Sequence, residues 1–107
     1  MTLLSDANFE RDVKSGISVV RFISLWDTEC RIFENQFREL SQEFNKVKFI
    51  VSDINSNYAL AKKEGITKVP TVIIYINGVP VARIAGSLTK RRLREQIDYF
   101  LQKYDVS

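Results

Sequence analysis

Trp26-Asp27-Thr28-Glu29-Cys30 lies between an apolar run, residues 19–25, and a helix-patterned segment that follows it. A strand that leads into W-C-x-x-C and then into a helix reads as a dithiol redox site. Here the second cysteine is present and aspartate stands where the first belongs. Cys30 is the only cysteine of the chain, so an intrachain disulfide is excluded. Cysteine usage therefore says nothing about the compartment.

Working outward, residues 17–25 are rich in β-branched and aromatic side chains and read as a buried strand. Upstream, Ser5 or Asp6 is placed to cap a short helix through Lys14, with Phe9 and Val13 one turn apart and Gly16 closing it. Downstream, Phe33, Phe37, Leu40 and Phe44 are spaced four, three and four apart. That spacing predicts one stripe of a long helix over 28–45. A strand over 47–52 and a short helix over 58–64, stopped by Gly65, come next. Two strands, 71–76 and 79–85, are joined by Asn77-Gly78, the strongest short hairpin signal because both residues tolerate φ > 0. A last helix spans 90–103, with Thr89 as its cap and Leu93, Ile97, Phe100 and Leu101 as its buried stripe. The order is α-β-α-β-α-β-β-α. The first two strands, joined by a helix, should be parallel with a right-handed crossover, and the hairpin adds an antiparallel edge. The expected architecture is α/β, a four-stranded mixed sheet with helices on both faces.

The totals fit one domain over residues 1–107 with a single core. No window approaches the ~20 apolar residues of a membrane span, and the start, Met1-Thr2-Leu3-Leu4-Ser5-Asp6, is too short and too soon acidic for a secretory signal. An intracellular, cytoplasmic protein with no membrane partner is expected. The net charge of +3 is interspersed, apart from Lys90-Arg91-Arg92 with Arg94. That stretch lacks the aromatic or glycine-rich companions of a nucleic-acid site and reads as a solvated helix face. The chain has no histidine, which removes the commonest general base and metal ligand. No metal and no cofactor are expected.

Taken together, these residues resemble the thioredoxin family over nearly the whole chain. The landmarks are Phe22, Trp26 and Cys30, then Val51-Ser52-Asp53-Ile54-Asn55, Ala61-Lys62-Lys63-Glu64-Gly65-Ile66 and Lys68-Val69-Pro70-Thr71, then Asn77-Gly78, Gly86 and Leu88-Thr89-Lys90. The resemblance implies the thioredoxin fold, a cis peptide before Pro70, and a substrate groove bordered by Trp26, Val69, Pro70, Thr71, Ala85 and Gly86. In the family an extended peptide pairs with the backbone of that groove. The alternative for Trp26 is a partly buried packing residue.

Six positions depart from the family pattern. Asp27 replaces the attacking cysteine, and Thr28-Glu29 replaces Gly-Pro. Arg21 replaces the buried acid that precedes the strand phenylalanine, Val51 replaces the lysine facing that acid, and Asn35 replaces the proline that kinks the following helix. A narrower resemblance, Arg21-Phe22 followed after three residues by Trp26-Asp27-x-x-Cys30, is to the spliceosomal thioredoxin-like family; it is confined mainly to the first half of the chain.

Thiol–disulfide exchange by C-x-x-C proteins uses one thiolate to attack and a second to resolve the mixed disulfide. Cys30 stands in the resolving position with no first thiol beside it. Asp27 is expected as the N-cap of the following helix, accepting from the backbone of Glu29 or Cys30. It is either a simple cap or a permanent anion standing where a thiolate would be. Cys30 is either a buried structural thiol or a monothiol nucleophile. The helix start and Arg21 or Arg31 favour its thiolate, while Asp27 and burial oppose it. Alternation puts Arg21 on the face opposite Val20 and Phe22. It then either pairs with Asp27, Glu29 or Glu34, or extends to solvent. The expected function is binding of a protein or peptide segment at the Trp26/Pro70 groove without standard dithiol reductase activity. The alternatives are a monothiol oxidoreductase working through Cys30 and a spliceosomal factor. The sequence leaves the oligomeric state open.

Overall fold

Ile17–Ile23 forms a strand buried along its whole length, mostly apolar and β-branched as a strand covered on both faces requires, with Ser18 and Arg21 as its two polar members. The computed structural model describes residues 4–5 and 8–104. In chain order the elements are β1 (Leu4–Ser5), α1 (Phe9–Val13), β2 (Ile17–Ile23), α2 (Thr28–Ile32), α3 (Glu34–Glu43), β3 (Val47–Asp53), α4 (Tyr58–Lys63), β4 (Thr71–Ile76), β5 (Val79–Ala85) and α5 (Lys90–Lys103). The sheet runs β1-β3-β2-β4-β5. β2 is parallel to β3 and antiparallel to β4, and β4 is antiparallel to β5. The four strands read from the sequence are all present. A fifth, β1, adds two residues parallel to β3 at the edge.

Period-two alternation sorts the strand side chains onto two faces. Ile17, Val19, Val72 and Ile74 pack with Phe33, Phe37 and Leu40 and with Leu93, Ile97 and Phe100 of α5. Val20, Phe22, Ile50, Ile73 and Tyr75 face the other way, onto Phe9 and Val13 of α1 and Leu60 of α4. The register sets Arg21 between Val51 of β3 and Val72 of β4, on the first of these faces.

Three expectations are corrected. β2 stops at Ile23, two residues early, because Ser24–Trp26 turns outward: Leu25 and Trp26 are exposed, and the Asp27 N–H donates to the Ser24 carbonyl at 3.1 Å. The helix at the start of the domain is capped at Asn8 with no side-chain hydrogen bond, and Lys14 ends it; Ser5 lies in β1, and Asp6 lies outside the described residues. The long helix over 28–45 is two helices, broken at Phe33 (φ −88°, ψ 2°). The chain resumes at once, the Phe37 N–H donating to the Phe33 carbonyl at 3.0 Å.

The hairpin has the geometry its sequence demands, with φ of 51° at Asn77 and 84° at Gly78. Asn77 also ties the turn to the start of β2. Its Oδ1 accepts from the Gly16 N–H at 2.8 Å, and its own N–H donates to the Gly16 carbonyl at 2.9 Å. In β5, Pro80 stands opposite Tyr75 and Ala82 opposite Ile74, so Val81 is an extra residue in a bulge. At the far side, α3 and α5 are joined by Lys90–Glu39 at 2.8 Å and by a two-point Arg94–Glu43 pair at 3.0 and 2.9 Å.

Candidate functional site

The site forms where β2 ends and α2 begins. Asp27 takes the extended conformation of an N-cap (φ −96°, ψ 123°), and its Oδ1 accepts from the Glu29 N–H at 2.9 Å. Satisfying that orphan donor is what places the carboxylate at the helix start. Cys30, at the third helical position, points inward and is only 1% exposed. The Ser24 N–H approaches its Sγ at 3.4 Å. Burial pushes the thiol above its ordinary value; the Ser24 N–H and Arg21 oppose this, while the charges of Asp27 and Glu29 add to it. The site therefore disfavours the thiolate, the nucleophilic form of cysteine.

Arg21 reaches the same point from below. It is 2% exposed, so it does not extend to solvent. It also forms no ion pair among the described residues. Its Nη2 donates to the Cys30 carbonyl, and its guanidinium carbon lies 6.0 Å and 5.7 Å from the ring centroids of Phe33 and Phe37. Burial lowers its pKa, with Cys30 and Glu34 acting in the opposite direction. Glu34 itself lies 3.7 Å from Arg38. The Cys30 carbonyl belongs to the helical ladder, and a side chain inserted into that ladder is a recognised cause of a kink. The break at Phe33 falls three residues beyond this contact, in a helix whose sequence has no proline there.

Opposite α2, the Val69–Pro70 peptide is cis. The Pro70 carbonyl accepts from the Gly86 N–H at 2.8 Å, and Thr71 pairs with Ala85 across the β4–β5 ladder. Gly86, with φ of 86°, needs the freedom of glycine. Between α2 and this segment lies a cleft of about 90 Å³ lined by Arg21, Glu29, Ile32, Phe33, Pro70, Val72, Gly86, Ser87 and Leu88.

Of the expected groove residues, Pro70 and Gly86 line this cleft, while Val69, Thr71 and Ala85 stand beside it in the chain. Trp26 does not line it. It is 88% exposed on the outer side of the site, so it is not a packing residue. Leu25 and Ile32 are exposed as well, at 58% and 68%. The sequence reading missed Ile32, Phe33, Val72, Ser87 and Leu88 as cleft residues. Ile32 carried a signal, since it falls outside the Phe33/Phe37/Leu40 stripe and so had to be an apolar residue facing out. The others converge on the cleft only through the fold. Among the described residues there is no cluster of three or more histidine, cysteine or carboxylate side chains able to hold a metal, and no helix is long and apolar enough to cross a membrane.

Comparison with known proteins places this geometry. The family model for thioredoxin matches residues 1–99. A thioredoxin of Staphylococcus haemolyticus (strain JCSC1435) is 28% identical over 99 residues, covering 92% of this chain and 95% of that protein. Among solved structures, a thioredoxin of Plasmodium falciparum superposes with a TM-score of 0.83 at 25% identity, covering 94% of this chain and 99% of that one. The Fasciola hepatica thioredoxin gives a TM-score of 0.81 at 29% identity, covering 92% and 98%.

Proposed function

This chain belongs to the thioredoxin family, and from that premise we propose that it is a member without the standard dithiol reductase activity, acting by binding a protein or peptide segment along the Trp26/Pro70 groove. The observation that carries the reading is the exchange at a single position: a carboxylate that caps α2 occupies the place of the attacking thiol, and the one thiol of the chain is buried behind it. Electron exchange within one molecule needs two thiols. The groove needs none. Its cis proline and an exposed tryptophan are present, and the exposed apolar residues Leu25, Trp26 and Ile32 are the kind of surface that marks a binding site.

The test is dithiothreitol-driven insulin reduction by the wild type and by Asp27→Cys, measured side by side. The wild type is expected at background and Asp27→Cys above it, because the substitution restores a C-x-x-C pair on an intact scaffold. Reduction by the wild type at the rate of an ordinary thioredoxin rejects the reading. Binding is followed separately by isothermal titration calorimetry, with Trp26→Ala expected to weaken it. The monothiol alternative predicts a mixed disulfide on Cys30 after exposure of the native protein to oxidised glutathione. Burial of the sulfur and the neighbouring carboxylates favour the absence of that adduct.

A further inference from the structure

Arg21 is a buried cation with unused donors at the edge of an apolar cleft. It is 2% exposed, yet it lines the cleft together with Ile32, Phe33, Pro70, Val72 and Leu88. One donor, Nη2, is spent on the Cys30 carbonyl. Nε is buried and has no acceptor among the described residues. A guanidinium is a planar fork built to meet a carboxylate with two parallel N–H groups, and here it meets a carbonyl and two phenyl rings instead. Glu34, the carboxylate whose charge bears on it, is engaged with Arg38.

We propose that this cleft is an acid-selective subsite: it receives the carboxylate of an aspartate or glutamate carried by the partner's segment, and Arg21 is the group that selects it. The inference rests on the groove reading given above and names the chemistry of the partner. The size agrees, since about 90 Å³ holds one side chain and falls well short of the ~300 Å³ at which small-molecule pockets begin. The walls agree, because apolar surroundings exclude water and strengthen a charge pair. At the mouth, Lys68 Nζ lies 3.4 Å from the position a Gly86 Cβ would take, adding a second positive charge. Glu29 stands exposed on the same rim, where solvent and salt screen its repulsion; the buried charge of Arg21 is screened far less.

The direct test follows the Arg21 Nε–Hε resonance of the ¹⁵N-labelled protein during titration with isobutyrate and, separately, with isobutyramide, which has the same shape and no charge. A saturable shift with isobutyrate alone is expected, and Leu88→Trp, which fills the cleft and keeps Arg21, should abolish it. An equal response to both probes, or none at Arg21, overturns the proposal. The second arm uses capped peptides that differ only in a central Asp, Asn or Leu, read through Trp26 fluorescence. The Asp peptide is expected to bind roughly tenfold more tightly than the Asn peptide, with the preference lost in Arg21→Met. Equal binding of all three removes acid selectivity and leaves the groove reading standing. Failure of all three to perturb Trp26 removes the groove reading, and the isobutyrate titration then decides the cleft by itself.

Discussion

Arg21 sits at a position where an apolar side chain would be the cheaper choice. A buried charge costs several kcal/mol of desolvation, and here it is met by one carbonyl and two ring faces rather than by an opposite charge. Two substitutions separate its volume from its charge. Arg21→Ala removes packing against Phe33 and Phe37 and should lower stability by about 2 kcal/mol or more. Arg21→Met keeps most of the volume and discards the charge, so it should fall within about 1 kcal/mol of wild type or exceed it. Urea midpoints with unchanged m-values measure both; equal losses in the two variants would show that the charge itself holds the fold. Cys30 supplies a second test. Its thiol is raised by burial, so the folded state holds the proton more tightly than the unfolded chain. The linked stability is full below the unfolded thiol value of about 8.5 and is lost as pH rises through the higher folded value. The stability difference between wild type and Cys30→Ala should therefore be flat through neutrality and shrink in alkali. A difference that grows with pH would mean a thiolate stabilised by the site. The identities of Asp27, Cys30 and Arg21 were legible as a group in the sequence. The acceptor for Arg21 was not, because every residue has a backbone carbonyl and nothing in the order of side chains tells which one a buried guanidinium will find.

Elements followed the sequence closely wherever a local rule governed them. β4, β5 and α5 have the bounds their patterns predict, and Thr89 caps α5 by accepting from the Arg92 N–H at 3.1 Å. The hairpin followed from two residues. Gly78→Ala, placing a Cβ at φ of 84°, should cost about 1–2 kcal/mol, read as a lower melting temperature; no loss would mean that the turn rearranges freely. The departures arose where tertiary contacts overrode local ones. The apolar stripe that predicted the helix begins at Phe33, the break itself, so periodicity gave no warning of it, and the Arg21 contact beside it comes from β2, twelve residues before Phe33. β1, with two residues, is too short to carry a period at all and exists only because β3 offers it an edge. The cleft draws residues from α2, from the start of β4 and from the segment after β5, so its membership is a property of the fold and not of any one stretch.

At the scale of the whole molecule, the thioredoxin fold is complete while the chain holds a single cysteine. The two faces of the sheet bury separate clusters, and the site stands where β2 leaves the sheet, supported by both. Substitutions at Asp27 are therefore expected to change chemistry without dismantling the core, which is what makes restoration of a thiol there a fair test. The surface ion pairs between α3 and α5 lie in solvent and contribute little individually, so core packing carries the stability. The end of the sheet opposite β1 deserves its own test. Pro80 cannot donate a backbone hydrogen bond, and the neighbouring bulge at Val81 twists the strand out of register. Pro80→Thr should leave the monomer folded yet bring forward thioflavin-positive aggregation on prolonged incubation; an unchanged lag time would assign the protection elsewhere. On the groove reading proposed above, a protein that holds extended segments gains from not offering them a second place to lie down. With its far margin blunted by an imino acid and a kink, the sheet steers a visiting chain away from ribbon growth along β5.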